Sequence, residues 1–190
     1  MTDRPRALRI QVGSGSLGIT GSKVGLWVYG TYAPAWFADA QQEAKDQARR
    51  REILFAVCAV ESYLVEWVRD QVLKKDLKHL GSYFPPNQRI GIVDRWKKVI
   101  DHLHKDSTIP RKPSYGESYW KDFTDLVDLR NGLVHGIASK PERVTEEEKP
   151  KLTAVQLQEI HPGWAVKVAA NVIRKLHDAV GTSPPKWISS

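Results

Sequence analysis

The sequence predicts an all-α protein, a bundle of four to five helices behind an N-terminal extension that is irregular or makes short β-strands. Three observations predict it. Residues 39–79 contain neither glycine nor proline, so nothing in them interrupts a helical backbone. Beyond that stretch, apolar residues recur at three- and four-residue spacing, the period of one helix face. The third is bulk: 190 residues, 41% hydrophobic and 27% charged, fit one domain with a buried core.

The elements follow in order. Residues 1–37 form the extension, and within it residues 8–32 hold most of the early glycines and alternate small, polar and β-branched side chains. This pattern predicts a short hairpin or a loosely held arm. The helical domain spans 38–181. Asp39 is the expected first N-cap. Ile53, Val57, Val60, Leu64, Trp67 and Val68 make the first apolar stripe. A continuous helix over 39–79 would be about 60 Å long, so a break is expected inside it. Gly81 and Pro85–Pro86 end it. Ile90, Val93, Trp96, Val99, Ile100 and Leu103 mark a second helix whose other face carries Arg95, Lys97, Lys98 and Lys105. A third runs from about Gly116–Ser118 through Ala138. Residues 140–152 are a charged connector, and a last helical region covers about 153–180, bent at Pro162–Gly163. Residues 182–190 are a tail.

Composition excludes several functions. A lone Cys58 makes neither an internal disulfide nor a zinc cluster, and suits a reducing compartment, so a cytoplasmic location is expected. No apolar run reaches the roughly 18 residues of a membrane span, and no signal peptide is recognised. His102 and His104, two apart on a helix, face different ways and are poor joint metal ligands; no metal and no cofactor are expected. The net charge is +7, concentrated in residues 80–114, where seven Lys and Arg outnumber three Asp and Glu. Such an excess attracts polyanions, nucleic acid among them.

One segment carries candidate chemistry, Asp128-Leu129-Arg130-Asn131-Gly132-Leu133-Val134-His135. It sets an arginine, an amide and a histidine in an otherwise apolar helix, where unpaired ionisable groups are costly. Asn131 and His135, four apart, share a face. Arg130 and His135 diverge by about 140°, so they meet only through arginine's reach, a distortion at Gly132, or a second subunit. Glu61 lies among Val57, Val60, Leu64, Val65 and Val68 and wants a partner; Arg130 is the expected one, in an ion pair that does not exclude catalysis. The tryptophans fall on apolar stripes and belong to the core.

RNGLVH resembles the arginine–polar–spacer–histidine motif of HEPN domains, all-helical modules often found as ribonucleases in prokaryotic toxin and phage-defence systems. REILFAVCAVESYLVEWV is similar to their long apolar helix with its embedded glutamate, and HPGWAVKVAANVIRKLH to their closing helix. The resemblance covers about residues 40–180. It implies a metal-independent endoribonuclease leaving 2′,3′-cyclic phosphate and 5′-hydroxyl ends. His135 would serve as acid or base, Arg130 would bind phosphate, and Asn131 would hold a phosphate oxygen or orient the imidazole. Glu61 would support them, and Arg95, Lys97 and Lys98 would hold the RNA backbone. It further implies a homodimer whose two-fold cleft collects both motifs, and an antitoxin or defence-system partner. The alternative is a non-catalytic HEPN module that binds RNA, a nucleotide or a partner protein.

Overall fold

The computed structural model describes residues 8–12, 15–19, 26–75, 90–107, 109–111, 113–135, 157 and 160–189; for the first two segments and for 26–30, 72–75 and 135 the description is of the backbone. Three short strands come first, β1 (Leu8–Val12), β2 (Gly15–Ile19) and β3 (Leu26–Gly30), an antiparallel meander with Ile10 opposite Leu17 and Leu17 opposite Val28. From Tyr32 onward the regular elements among the described residues are helices: α1 (Ala33–Lys45), α2 (Arg49–Lys75), α3 (Ile92–Lys105), α4 (Ser118–His135) and α5 (Trp164–Val180), then one 3₁₀ turn at Lys186–Ile188. The expected ends at Gly81 and Pro85–Pro86 and the connector 140–152 lie outside the described residues.

The break expected within 39–79 falls at Asp46–Ala48. Here the amide of Gln47 donates to Ala44 O (3.2 Å) and that of Ala48 to Glu43 O (2.8 Å), the paired bonds of a Schellman stop. Gln47 takes the left-handed conformation at φ 55°, a position glycine usually fills. Without that glycine the stop leaves no mark in the sequence. An ion pair across the turn, Arg51 Nε to Glu43 at 2.9 Å, joins the two helices.

α1 begins at Ala33, with Tyr32 as N-cap and no cap from its own side chain. Asp39 is therefore inside α1 and not at its start. The missing cap comes from α2: Glu66 Oε1 accepts from the amides of Tyr32 (2.6 Å) and Ala33 (3.2 Å). A carboxylate on a helix N-terminus satisfies orphan donors and complements the dipole. Burial holds the Glu66 carboxyl above its ordinary range, partly offset by those two amides.

Central α2 packs against α1, α4 and α5, and α3 is attached through α4. The stripe Ile53, Val57, Val60, Leu64, Trp67 and Val68 is buried throughout, with Phe37, Trp96, Phe123, Leu126, Ile173 and Leu176 completing one core. Trp96 meets Phe123 edge-on, and Phe123 meets Trp120 the same way, so these tryptophans are core residues as the apolar stripes predict.

α5 starts at Gly163, φ 86°, and ends at Gly181, φ 72°. Its N-terminus is capped by Glu52, a carboxylate only 1% exposed, which accepts from the amides of Gly163, Ala165 and Val166. Glu52 and Glu66 are fourteen positions apart, nearly a whole number of turns, so one face of α2 caps two neighbours. The tail returns to the bundle. Ile188 is buried, its carbonyl accepts from Arg174 (2.9 Å), and the Trp187 ring packs edge-on against Phe37 and Tyr63.

Candidate functional site

Arg130 and Asn131 lie on the last turns of α4, whose apolar face (Trp120, Phe123, Leu126, Val127 and Leu129) is buried in the bundle. Thr124, Asp128 and Asn131 follow at helical spacing on another side, and position 135 continues that stripe by register. This polar stripe forms one wall of a cleft of about 380 Å³. The opposite walls come from α2 (Val57 and Glu61) and from the start of α3 (Gly91 to Asp94). The N-cap of α3 is Gly91, which has no side chain to cap that end.

Arg130 is half-buried and opens on the cleft. Its Nη1 donates to Asn131 Oδ1 at 3.0 Å. That bond uses the Asn131 carbonyl oxygen and leaves its amide NH₂ as a donor that the bond does not use. The guanidinium also lies near Cys58 on α2. Burial pushes the Cys58 thiol up, the Arg130 charge pulls it back, and Glu61 pushes it up further.

The ion pair expected between Arg130 and Glu61 is replaced by another. Glu61 is met by Arg95 on α3, Nη1 to Oε1 at 3.3 Å, with the two side chains 19% and 41% exposed for Arg95 and Glu61 respectively. Both arginines come close to α2 here, and helical spacing alone does not say which one reaches the carboxylate. Because Arg95 answers Glu61, Arg130 keeps its charge for the cleft.

The basic face of α3 also divides. Arg95 turns inward to Glu61. The Lys97 ammonium sits 5.8 Å from the ring centres of both Tyr115 and Trp120, a cation–π arrangement. Lys98 is exposed. At about 100° per residue these three positions cannot form one stripe.

Comparison of the chain with protein families, with characterised proteins and with solved structures finds no match. The cleft must therefore be read from its own chemistry. Among the described residues no group of three or more His, Cys, Asp or Glu could hold a metal ion, and His102 Nε2 is within 2.9 Å of Asp106. No helix among them is long and apolar enough to cross a membrane.

Asp94 and Thr124 line the cleft outside the singled-out segment, and Asp128, its first residue, has no role in the sequence reading; Thr124, Asp128, Asn131 and His135 show the signal as a polar stripe on an apolar helix. A second polar group was equally hidden. Tyr63 on α2 hydrogen-bonds His177 Nε2 within the core, and His177 Nδ1 meets Thr182 Oγ1 at 2.7 Å. Burial lowers the His177 pKa below its usual 6.5 and raises that of Tyr63. This chain ties α5 and the tail to α2 and stands apart from the cleft, since none of its members lines it.

Proposed function

We propose that the chain is a metal-independent endoribonuclease of the HEPN type, with the scissile phosphodiester seated in the cleft between α2, α3 and α4. The supporting observation is that Glu61 is neutralised by Arg95, while Arg130 opens on the cleft with no carboxylate partner among the described residues. A guanidinium left in this state is a strong phosphate ligand, because its planar fork matches two phosphate oxygens. The start of α3, Gly91 to Asp94, borders the same space, and a helix N-terminus favours an anion.

The reaction would need little else. An imidazole takes the proton of the ribose 2′-hydroxyl, the 2′-oxygen bonds to phosphorus, and the P–O5′ bond breaks. A second proton donor protonates the leaving 5′-oxygen. The products are a 2′,3′-cyclic phosphate and a 5′-hydroxyl. His135 fills the imidazole role, since an unperturbed histidine exchanges protons near neutral pH. Its position continues the cleft stripe, while Arg130 reaches the same cleft from about 140° around the helix; arginine's length closes part of the gap. A second copy of the chain would supply the other imidazole, so a homodimer is part of the proposal. So are a cytoplasmic location and a defence-system or antitoxin partner.

The experiment is digestion of a varied RNA panel in EDTA, with end-group analysis, comparing wild type with Arg130→Ala and His135→Ala. Cleavage that survives EDTA and is lost in both variants is the expected result. Folded wild type that cuts no RNA in the panel sinks the nuclease reading. One observation favours the second reading, a non-catalytic module: the cleft presents three carboxylates, Glu61, Asp94 and Asp128, which weaken its pull on a long polyanion. In that case RNA or a nucleotide binds without turnover. Light scattering tests the dimer independently.

A further inference from the structure

The charge of the cleft is mixed, and the mixture specifies more than a phosphate. Arg130 shares the cleft with Glu61, Asp94 and Asp128, and of the three Glu61 is the one paired with Arg95. A nucleoside triphosphate, with about four negative charges, would meet net repulsion here. One phosphodiester would not, provided that the rest of its nucleotide offers hydrogen-bond donors to the carboxylates. At about 380 Å³ the cleft is of small-ligand size and suits one nucleotide unit. Val57, Ile92 and Val127 supply an apolar wall for a base face.

Within this cleft Asp128 and Asn131 stand three apart on α4, so their side chains are neighbours on one face. Asp128 is exposed and no described residue bonds to its carboxylate. The carbonyl of Asn131 is held by Arg130, so the pair presents two acceptor oxygens beside one NH₂ donor. Guanine is the standard base whose edge is the complement: N1–H and N2–H donate side by side, and O6 accepts. Adenine and cytosine each offer a carboxylate one exocyclic amine, and uracil a single ring N–H. Unstacked bases of single-stranded RNA are read on this edge.

We infer that Asp128 and Asn131 read a guanine base in the cleft, Asp128 accepting from N1–H and N2–H and Asn131 donating to O6, while Arg130 holds the adjoining phosphate. The inference rests on the RNA reading above and deepens it, turning a phosphate site into a base-selective one. One additional hydrogen bond to a charged acceptor is worth about tenfold or more in affinity.

The test uses the full-length chain and 2′-fluoro heptanucleotides, which lack the attacking hydroxyl and are not cleaved. Anisotropy titrations compare an all-adenosine heptamer with one carrying a single central guanosine. Wild type is expected to prefer the guanosine heptamer by about tenfold. Asp128→Asn, which swaps one acceptor oxygen for a donor at an exposed position, should bring the two affinities within about twofold. Asp39→Asn, which changes an exposed carboxylate on α1 outside the cleft, is the control and should keep the preference; circular dichroism verifies that both variants are folded. Equal affinity for the two heptamers in wild type overturns the guanine assignment while leaving RNA binding intact. A preference that survives Asp128→Asn, or that Asp39→Asn removes, overturns the role of Asp128. If neither heptamer binds wild type at high micromolar concentration, the base assignment and the RNA site fail together.

Discussion

The Glu52 carboxylate of α2 lies 3.0 Å from the amide nitrogen of Ala165, 113 residues further along the chain. Gly163 and Val166 donate to the same side chain, so one buried carboxylate closes the start of α5. It is the counterpart of Glu66, which does the same for α1.

Removing this cap should be expensive. Glu52→Ala leaves two or three buried amides without an acceptor and is expected to cost about 3 kcal/mol. Glu52→Gln keeps one oxygen and should cost less than half as much. Urea unfolding of both variants measures the difference, and a loss below about 0.5 kcal/mol in the alanine variant would remove the cap from the account.

His177 should make stability depend on pH. Burial lowers its folded pKa from the ordinary 6.5, so the unfolded chain takes up the proton first as the solution is acidified. The stabilisation is complete above about pH 6.5 and is lost as pH falls through the folded pKa, at up to about 1.4 kcal/mol per unit of separation. Urea midpoints between pH 8 and 5 should fall more steeply for wild type than for His177→Gln, and parallel curves would count against the buried histidine.

The glycines bounding α5 should be sensitive through the backbone alone. Gly163 and Gly181 are left-handed, and a Cβ at either would meet nothing within 4 Å. Alanine at each is therefore expected to cost about 1 kcal/mol from conformation without any clash. A thermal shift close to zero for both would show that the turns relax freely.

On the RNA reading proposed above, the split of the basic face predicts unequal roles for Lys98 and Arg95. Lys98 is exposed, so Lys98→Ala should lower the slope of log affinity against log salt by about one. Arg95 is spent on Glu61, and Arg95→Ala should leave that slope unchanged while costing below about 1 kcal/mol of stability, as partly exposed ion pairs do. Equal slope changes in the two variants would contradict the division.

Much of the helical organisation was legible locally. The stripe from Ile53 to Val68 names its own buried face, because helical period and burial share one geometry. The start of α1 was not: a cap supplied by Glu66 from another helix leaves Tyr32 looking like loop and Asp39 like a beginning. Nor was the α1–α2 stop, since Gln47 occupies a position where glycine would have announced it.

At the candidate site the chain alone marked Arg130 and Asn131 as polar residues on an apolar helix, and it required that Glu61 be paired. Which arginine pairs with it was decided in three dimensions. Arg95 and Arg130 belong to different helices that converge on one turn of α2, and only their packing assigns the carboxylate. Period and propensity alone determine which helix faces turn inward, because those forces act between near neighbours. Electrostatic partnership acts between residues brought together from afar, and so an Arg130 with no carboxylate partner among the described residues is a property of the folded bundle.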